Sequence, residues 1–417
     1  MGQSLSGTIY IREFTKPTMK LTDKLMADNP TIDTRTTFTA FTETNTKRLY
    51  KATEQIGTNE SKDVYYFAGD AKNNWVKFGK TAESSCTYKG KELFIYNNDT
   101  GFKNVETQTE CETYSLCNHK SLGPMLVENS SMCGNETGTI LTEKATWNGT
   151  STKDIYWRII RTNADGSIKL LYAGTSPDTD KAYIGASAFN TTYNDPMYVG
   201  YKYGTTGSLE NNRLNTNDST IKTYVDNWYK NNLTAYTKYL SNDAVYCNDR
   251  NLASGQTYST TNHFNYAPYE RIPNKQPTYN CTNMSDAFSV NNTSAKLDYP
   301  VGLMSIDELS YAGGQAGTAL DAPYAWYYTN ANGESITGIV PFWALSPLIW
   351  RGSYSGVWDV YGSGHPGRLD IGNVGGSFAL RPSVSLSSCN LISRGDGSPE
   401  NPYIVYTGSG VCETPLT

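Results

Sequence analysis

What this chain lacks narrows it before any motif is read. Only 18% of its 417 residues are charged, against about a quarter in an average soluble protein. Thirty-five Lys and Arg face 40 Asp and Glu, a net charge of −5. Such a balance is wrong for a general nucleic-acid binder, which needs surplus cations for the phosphate backbone. No apolar run approaches the roughly 18 residues of a membrane span, and Met1 opens no signal peptide. An export signal would therefore have to come from outside this sequence. Histidine is scarce: His119, His263 and His365 are the three present, and none sits in an HExxH or His-x-His pattern, so no histidine metal centre is expected. A GxSxG elbow, a P-loop and a GxGxxG after a strand are also missing. Gly362-Ser-Gly364 is too short for a phosphate cradle. Neither a cofactor nor a catalytic constellation is expected.

Rings and cysteines are what the chain has instead. Hydrophobic residues total only 38%, yet 32 Tyr, 12 Phe and 8 Trp can build a core. Asn, Thr, Ser, Gly and Tyr dominate the rest, a balance common in β-rich surface proteins. Eight cysteines with no CxxC pair point to disulfides rather than zinc, and to an oxidising, extracytoplasmic setting. Cys247–Cys281 and Cys389–Cys412 are the expected bridges, each closing a moderate loop. Cys86, Cys111, Cys117 and Cys133 leave three connectivities open.

The pattern along the chain predicts α+β rather than a βαβ alternation. A strand is expected at Gly7–Glu13 and a short amphipathic helix at Met19–Asp28, ended by Pro30. Val64–Gly69 and Asn74–Gly79 read as paired strands across a turn-rich linker. Tyr156–Arg161 and Ile168–Ala173 read as a hairpin across Asp165-Gly166-Ser167. The Cys-rich stretch 80–152 between them reads as an insertion at a sheet edge. The main helix is predicted over Ser219–Leu240, with Ile221, Tyr224, Val225 and Trp228 on its core stripe and Asp218 or Ser219 as its cap. A shorter helix is predicted over Ile306–Ala312, capped by Ser305 and stopped by Gly313-Gly314. Segment 242–300 reads as loop, and the strands resume near Trp343, Trp358, Phe378 and Tyr403. This gives an N-terminal part at 1–79, the insertion at 80–152 and a ligand-binding domain at 153–417.

Among the carboxylates, Asp359 and Asp370 share an aromatic, Gly-rich stretch and are the pair nearest to a glycosidase arrangement, which needs acids about 5–9 Å apart. Exposed loop-tip residues are the simpler account of them. Asp307 and Glu308 have a sufficient role at a helix start. Asp178 and Asp180 lack EF-hand spacing. Asn190-Thr-Thr and Asn232-Leu-Thr are sequons relevant only in a glycosylating host.

Residues 342–388 stand apart. Phe342-Trp-Ala-Leu-Ser-Pro347 and Ser377-Phe-Ala-Leu-Arg-Pro-Ser-Val-Ser-Leu386 are tightly patterned. Between Leu348 and Gly376 the chain mixes Trp, Tyr, Arg, His and Asp with Gly and Ser, the composition of an adaptable binding loop. This arrangement resembles the C-terminal part of diversity-generating-retroelement variable proteins, which have a C-type-lectin-like fold. Tyr65–Asp70, Tyr156–Thr162, Asn194–Gly200 and Pro300–Ser305 are similar to segments of large surface proteins of gut-type Gram-positive bacteria. The resemblance covers about 156–386 and leaves out the Cys-rich insertion. It implies a C-type-lectin-like domain with two helices, antiparallel strands and long loops, and a variable region at 348–376 held by a fixed Trp343 and Arg381-Pro382 frame. Calcium-lectin tripeptides are not evident, so sugar binding through calcium does not follow.

The expected function is a non-enzymatic, secreted or surface-displayed binding protein of the adhesin or receptor-binding type. Its partner would be a protein or glycan on a cell or phage surface. Leu348, Trp350, Arg351, Tyr354, Asp359, Tyr361, His365, Arg368 and Asp370 are the candidate contacts. Two other readings are open: an enzyme acting on a glycan or modifying a sulfatase-like substrate, which free thiols at Cys389 or Cys412 would favour, and a structural surface or pilus-tip subunit.

Overall fold

The computed structural model describes residues 16–413 apart from 46, 98–100, 121–122 and 134–137. The strand expected at 7–13 lies outside the described residues. The chain is a mixed α/β fold, mostly sheet, carrying four disulfides.

The principal sheet is organised by one long strand, Thr146–Thr162. Ile155, Trp157 and Ile159 face one side and Arg158 and Ile160 the other, and all are buried, so its inner half is a central strand covered on both faces. Ile168–Tyr172 returns against it across the expected hairpin. There Gly166 takes φ +81°, and the Ser167 backbone N–H donates to the Asp165 carboxylate at 2.9 Å, a side-chain-stabilised turn. Pro382–Leu386 and then Val301–Leu303 extend the sheet beyond it.

The other edge differs from the sequence reading. Lys62–Tyr66 and Trp75–Tyr88 do not pair with each other; both lie along the same side of Thr146–Thr162, with Tyr66 opposite Arg161 and Trp75 opposite Arg158. Arg158 explains this. Its buried guanidinium takes the Ala71 carbonyl (2.8 Å) and the Asn74 side chain (2.6 Å) and stacks on Trp75. The linker is thus pinned to the sheet instead of closing a hairpin.

Trp75–Tyr88 and Thr146–Thr162 run on as a two-stranded ribbon into the Cys-rich segment, so 80–152 grows out of the sheet without a break in either strand. Five short strands at its end enclose two small cores. Cys86–Cys111 packs with Leu93, Ile95, Leu116 and Leu126, and Cys117–Cys133 packs with Met125 and Val127. The open connectivity of this cluster is thereby fixed. Cys247–Cys281 and Cys389–Cys412 are bridged as expected.

The helix at Thr220–Asn232 starts where Ser219 accepts the Lys222 N–H (3.2 Å) and buries Ile221, Val225 and Tyr229; Thr234–Tyr239 continues it as a 3-10 turn. Ile306–Ala312 forms with a complete capping box, and all its residues are buried. Gly313 ends it at φ +121°. Helices of four to six residues at Gln108–Thr113, Leu209–Asn212 and Ala267–Arg271 exceed the three expected; they are too short to show a helical period.

Glu308 does more than cap. One of its oxygens accepts the Ser305 N–H, and the other takes Arg161 (3.0 Å) and Lys169 (2.8 Å). Arg161 also reaches Glu54 at 2.8 Å, and all four charged side chains are buried. A neighbouring trio joins Arg271 to Asp307 and Asp249.

Candidate functional site

A second sheet carries the segment singled out above. Phe342–Trp350 and Ser355–Val360 pair antiparallel, and Leu369–Asn373 continues on the far side. Trp343 and Arg381 hold this sheet to the rest. The Trp343 indole donates to Ser187 (2.9 Å) and packs on Phe378. Arg381, fully buried against Phe342, donates to the carbonyls of Tyr172 and Tyr327.

The nine candidate contacts do not share one face. Both central strands are buried along their whole length, because the sheet is covered on both sides. Leu348 and Trp350, 2% and 1% exposed, belong to the main core, and Phe264 pairs directly opposite Trp350. These two cannot meet a ligand as expected, and neither can Asp359 at 1% exposure. The other six lie at opposite ends of Ser355–Val360, roughly 20 Å apart at the usual strand rise. Arg351 and Tyr354 form one turn, closed by the Arg351 N–H on the Tyr354 carbonyl. Tyr361, His365, Arg368 and Asp370 meet at the other end.

That second group is compact. The Arg368 guanidinium lies 4.4 Å from the Tyr361 ring centre and pairs with Asp370. The His365 ring meets Tyr361 edge-on at 5.4 Å. Backbone bonds from Tyr361 to Arg368, from His365 to Gly362 and from Arg368 to His365 fix the loop. His365 is exposed and the other three are half-buried. Such a group offers a cation, an anion, an imidazole and a phenol over a short stretch of surface, on a loop rooted in two strands.

Beneath it, Asp359 pairs across the ladder with Asp370, and neither oxygen of its carboxylate has a hydrogen-bond partner. Burial, then repulsion from Asp370, pushes its pKa up to about 8, against the pull of Arg368. Asp359 is thus chiefly a neutral acid at pH 7. Being closed to solvent, it forms no open acid pair with Asp370 for a sugar to enter.

Among the described residues one group of acids is close enough to hold a metal: Asp218, Asp226 and Asp298. The buried Lys222 ammonium already joins all three, 3.2 Å from Asp218 and 2.9 Å from Asp298. A lysine supplies the positive charge there. No cysteine of the chain is free, so the thiols that would favour a sulfatase-modifying enzyme are tied up.

A cleft of about 530 Å³ lies elsewhere, between the ribbon and the exposed side of the Thr220–Asn232 helix. No sequence signal marked it, since its walls come from segments up to 150 residues apart. Comparison with protein-family models, with curated proteins and with solved structures returns no match.

Proposed function

We propose that the chain is a secreted or surface-displayed, non-enzymatic binding protein whose C-terminal domain is C-type-lectin-like. Its ligand surface is the loop 361–370, a protein or glycan partner meeting Tyr361, His365, Arg368 and Asp370, with Arg351 and Tyr354 as a separate patch. The observation that carries this reading is the convergence of four chemically different, solvent-reaching side chains on a Gly-rich loop held by buried strands. Rigid support with adaptable side chains is the usual construction of a binding loop. Four disulfides suit an oxidising compartment, and no helix of the described residues is long and apolar enough to cross a membrane.

Retroelement diversification of 348–376 is part of the same proposal, now with a physical restriction. Changes belong at Arg351, Tyr354, Tyr361, His365, Arg368 and Asp370, while Trp343, Trp350, Trp358, Asp359 and Arg381 stay constant because they are buried. Deep sequencing of the locus in a natural population tests this. Substitutions spread evenly over buried and exposed codons, or the lack of a near-identical template repeat, would overturn it. Binding is tested separately by adding labelled protein to candidate host cells. The doubly substituted Tyr361→Ala/Arg368→Ala protein should lose attachment, and undiminished attachment would remove the loop from the interface.

A further inference from the structure

The cleft has a chemistry of its own. One wall is Thr81–Ser84 of the ribbon, the opposite wall is the helix side bearing Tyr224, Asn227 and Trp228, and Tyr172 and Tyr183 line the space between. It exists because the Cys-rich module folds back on the domain. Thr81 bonds Asn232 at 2.7 Å, Thr175 bonds Glu83 at 2.9 Å, and Lys181 reaches the Leu93 carbonyl at 3.3 Å. At about 530 Å³ it falls within the range of small-molecule sites, roughly 300–1,000 Å³.

Three carboxylates, Glu83, Glu92 and Glu106, line it against one ammonium, Lys181. Lys181 is already paired with Glu92 at 3.5 Å. Among the described residues Glu83 has no ion-pair partner, and its one side-chain hydrogen bond comes from Thr175. A half-buried carboxylate so placed has unused acceptor capacity; burial pushes its pKa up, and Lys153 and Lys181 act on it without a direct ion pair. Tyr172 and Tyr183, 5% and 4% exposed, line the same space, and a phenol hydroxyl there can both donate and accept. Gly185 matters too: a Cβ there would collide with the Tyr224 hydroxyl, so a glycine keeps Tyr224 in the wall.

We infer that this cleft binds a hydroxyl-bearing primary amine, of the amino-sugar or amino-polyol class. The ammonium sits on Glu83, the hydroxyls meet Tyr172, Tyr183 and Asn227, and the carbon skeleton lies against Trp228. An ammonium fits better than a neutral group because it meets both the surplus negative charge and the electron-rich ring faces. This site is remote in sequence from the loop 361–370, and the two proposals stand or fall separately.

Titration calorimetry at low salt with glucosamine, and with glucose as the uncharged control, tests it on the whole chain. Glucosamine should bind with a Kd of about 1 mM or tighter, and glucose about tenfold more weakly or worse. Glu83→Gln should weaken glucosamine about ten- to hundredfold, the loss of a charged hydrogen bond. Asn231→Trp, on the exposed side of the helix, should block the cleft while leaving Glu83 intact; thermal unfolding of both variants checks that they fold. Equal binding of glucose, binding that survives both substitutions, or no heat with glucosamine would each overturn the inference.

Discussion

Asp359→Asn should stabilise this protein, and by an amount that depends on pH. An aspartate ionises near 3.9 in an unfolded chain and at about 8 in this fold. A carboxyl raised in this way contributes its full stability below the unfolded value and loses it as pH climbs toward the folded one. At about 1.36 kcal/mol per pH unit, the wild type loses on the order of 4 kcal/mol between pH 4 and pH 7 through this residue. The asparagine has no charge to lose. It still buries an amide without partners, which costs about 1–3 kcal/mol by itself. The informative quantity is therefore the change in the mutational effect with pH. Urea unfolding of both proteins at pH 4.5, 6, 7.5 and 9 should show the variant gaining on the wild type at each step, by about 4–5 kcal/mol in all. A difference that stays flat would mean that Asp359 ionises normally, and the account of the buried ladder pair would be wrong.

Other perturbations have equally definite outcomes. Arg161→Met leaves Glu54 and Glu308 buried without their shared partner and should cost about 3–5 kcal/mol in denaturant unfolding. EDTA should leave Tm unchanged, because Lys222 supplies the cation at the three-aspartate cluster; Lys222→Met should lower it sharply. Removing Cys117–Cys133, which closes a loop of 16 residues, should cost about 3 kcal/mol. Hydrogen exchange should place that loss in the module's own core and leave the principal sheet protected. Gly372→Ala puts a methyl group into the Trp343 ring and should destabilise by about 1–3 kcal/mol.

Local chemistry was legible in the sequence, and layering was not. Ser305-Ile-Asp-Glu308 announces its own capping box, Asp165-Gly166-Ser167 its own turn, and Ser219 its own helix start, because each is decided within a few residues. Cys247–Cys281 and Cys389–Cys412 followed from proximity along the chain. The false hairpin at 64–79 arose because its linker is held by Arg158, about 85 residues away, a contact no local pattern carries. The same holds for Trp350 and Asp359. Gly and Ser around them suggested surface, whereas a strand covered on both faces loses the alternation that would have shown which side chains point outward. The cleft was hidden for a third reason: Glu83, Tyr183 and Trp228 meet only after the module has folded back.

The ribbon linking module to sheet has a mechanical meaning. Its strands run 14 and 17 residues, about 45–55 Å of continuous chain, with their inner ends woven between Ile168–Tyr172 on one side and Tyr403–Val405 on the other. A pull on the module's tip is directed along both strands together. The bonds resisting it, in the ladders to those neighbours, are loaded in shear and must yield collectively instead of opening one after another. The module is thereby mounted as a tension-bearing arm, and a tether attached there would drag on the centre of the fold before it could peel an edge.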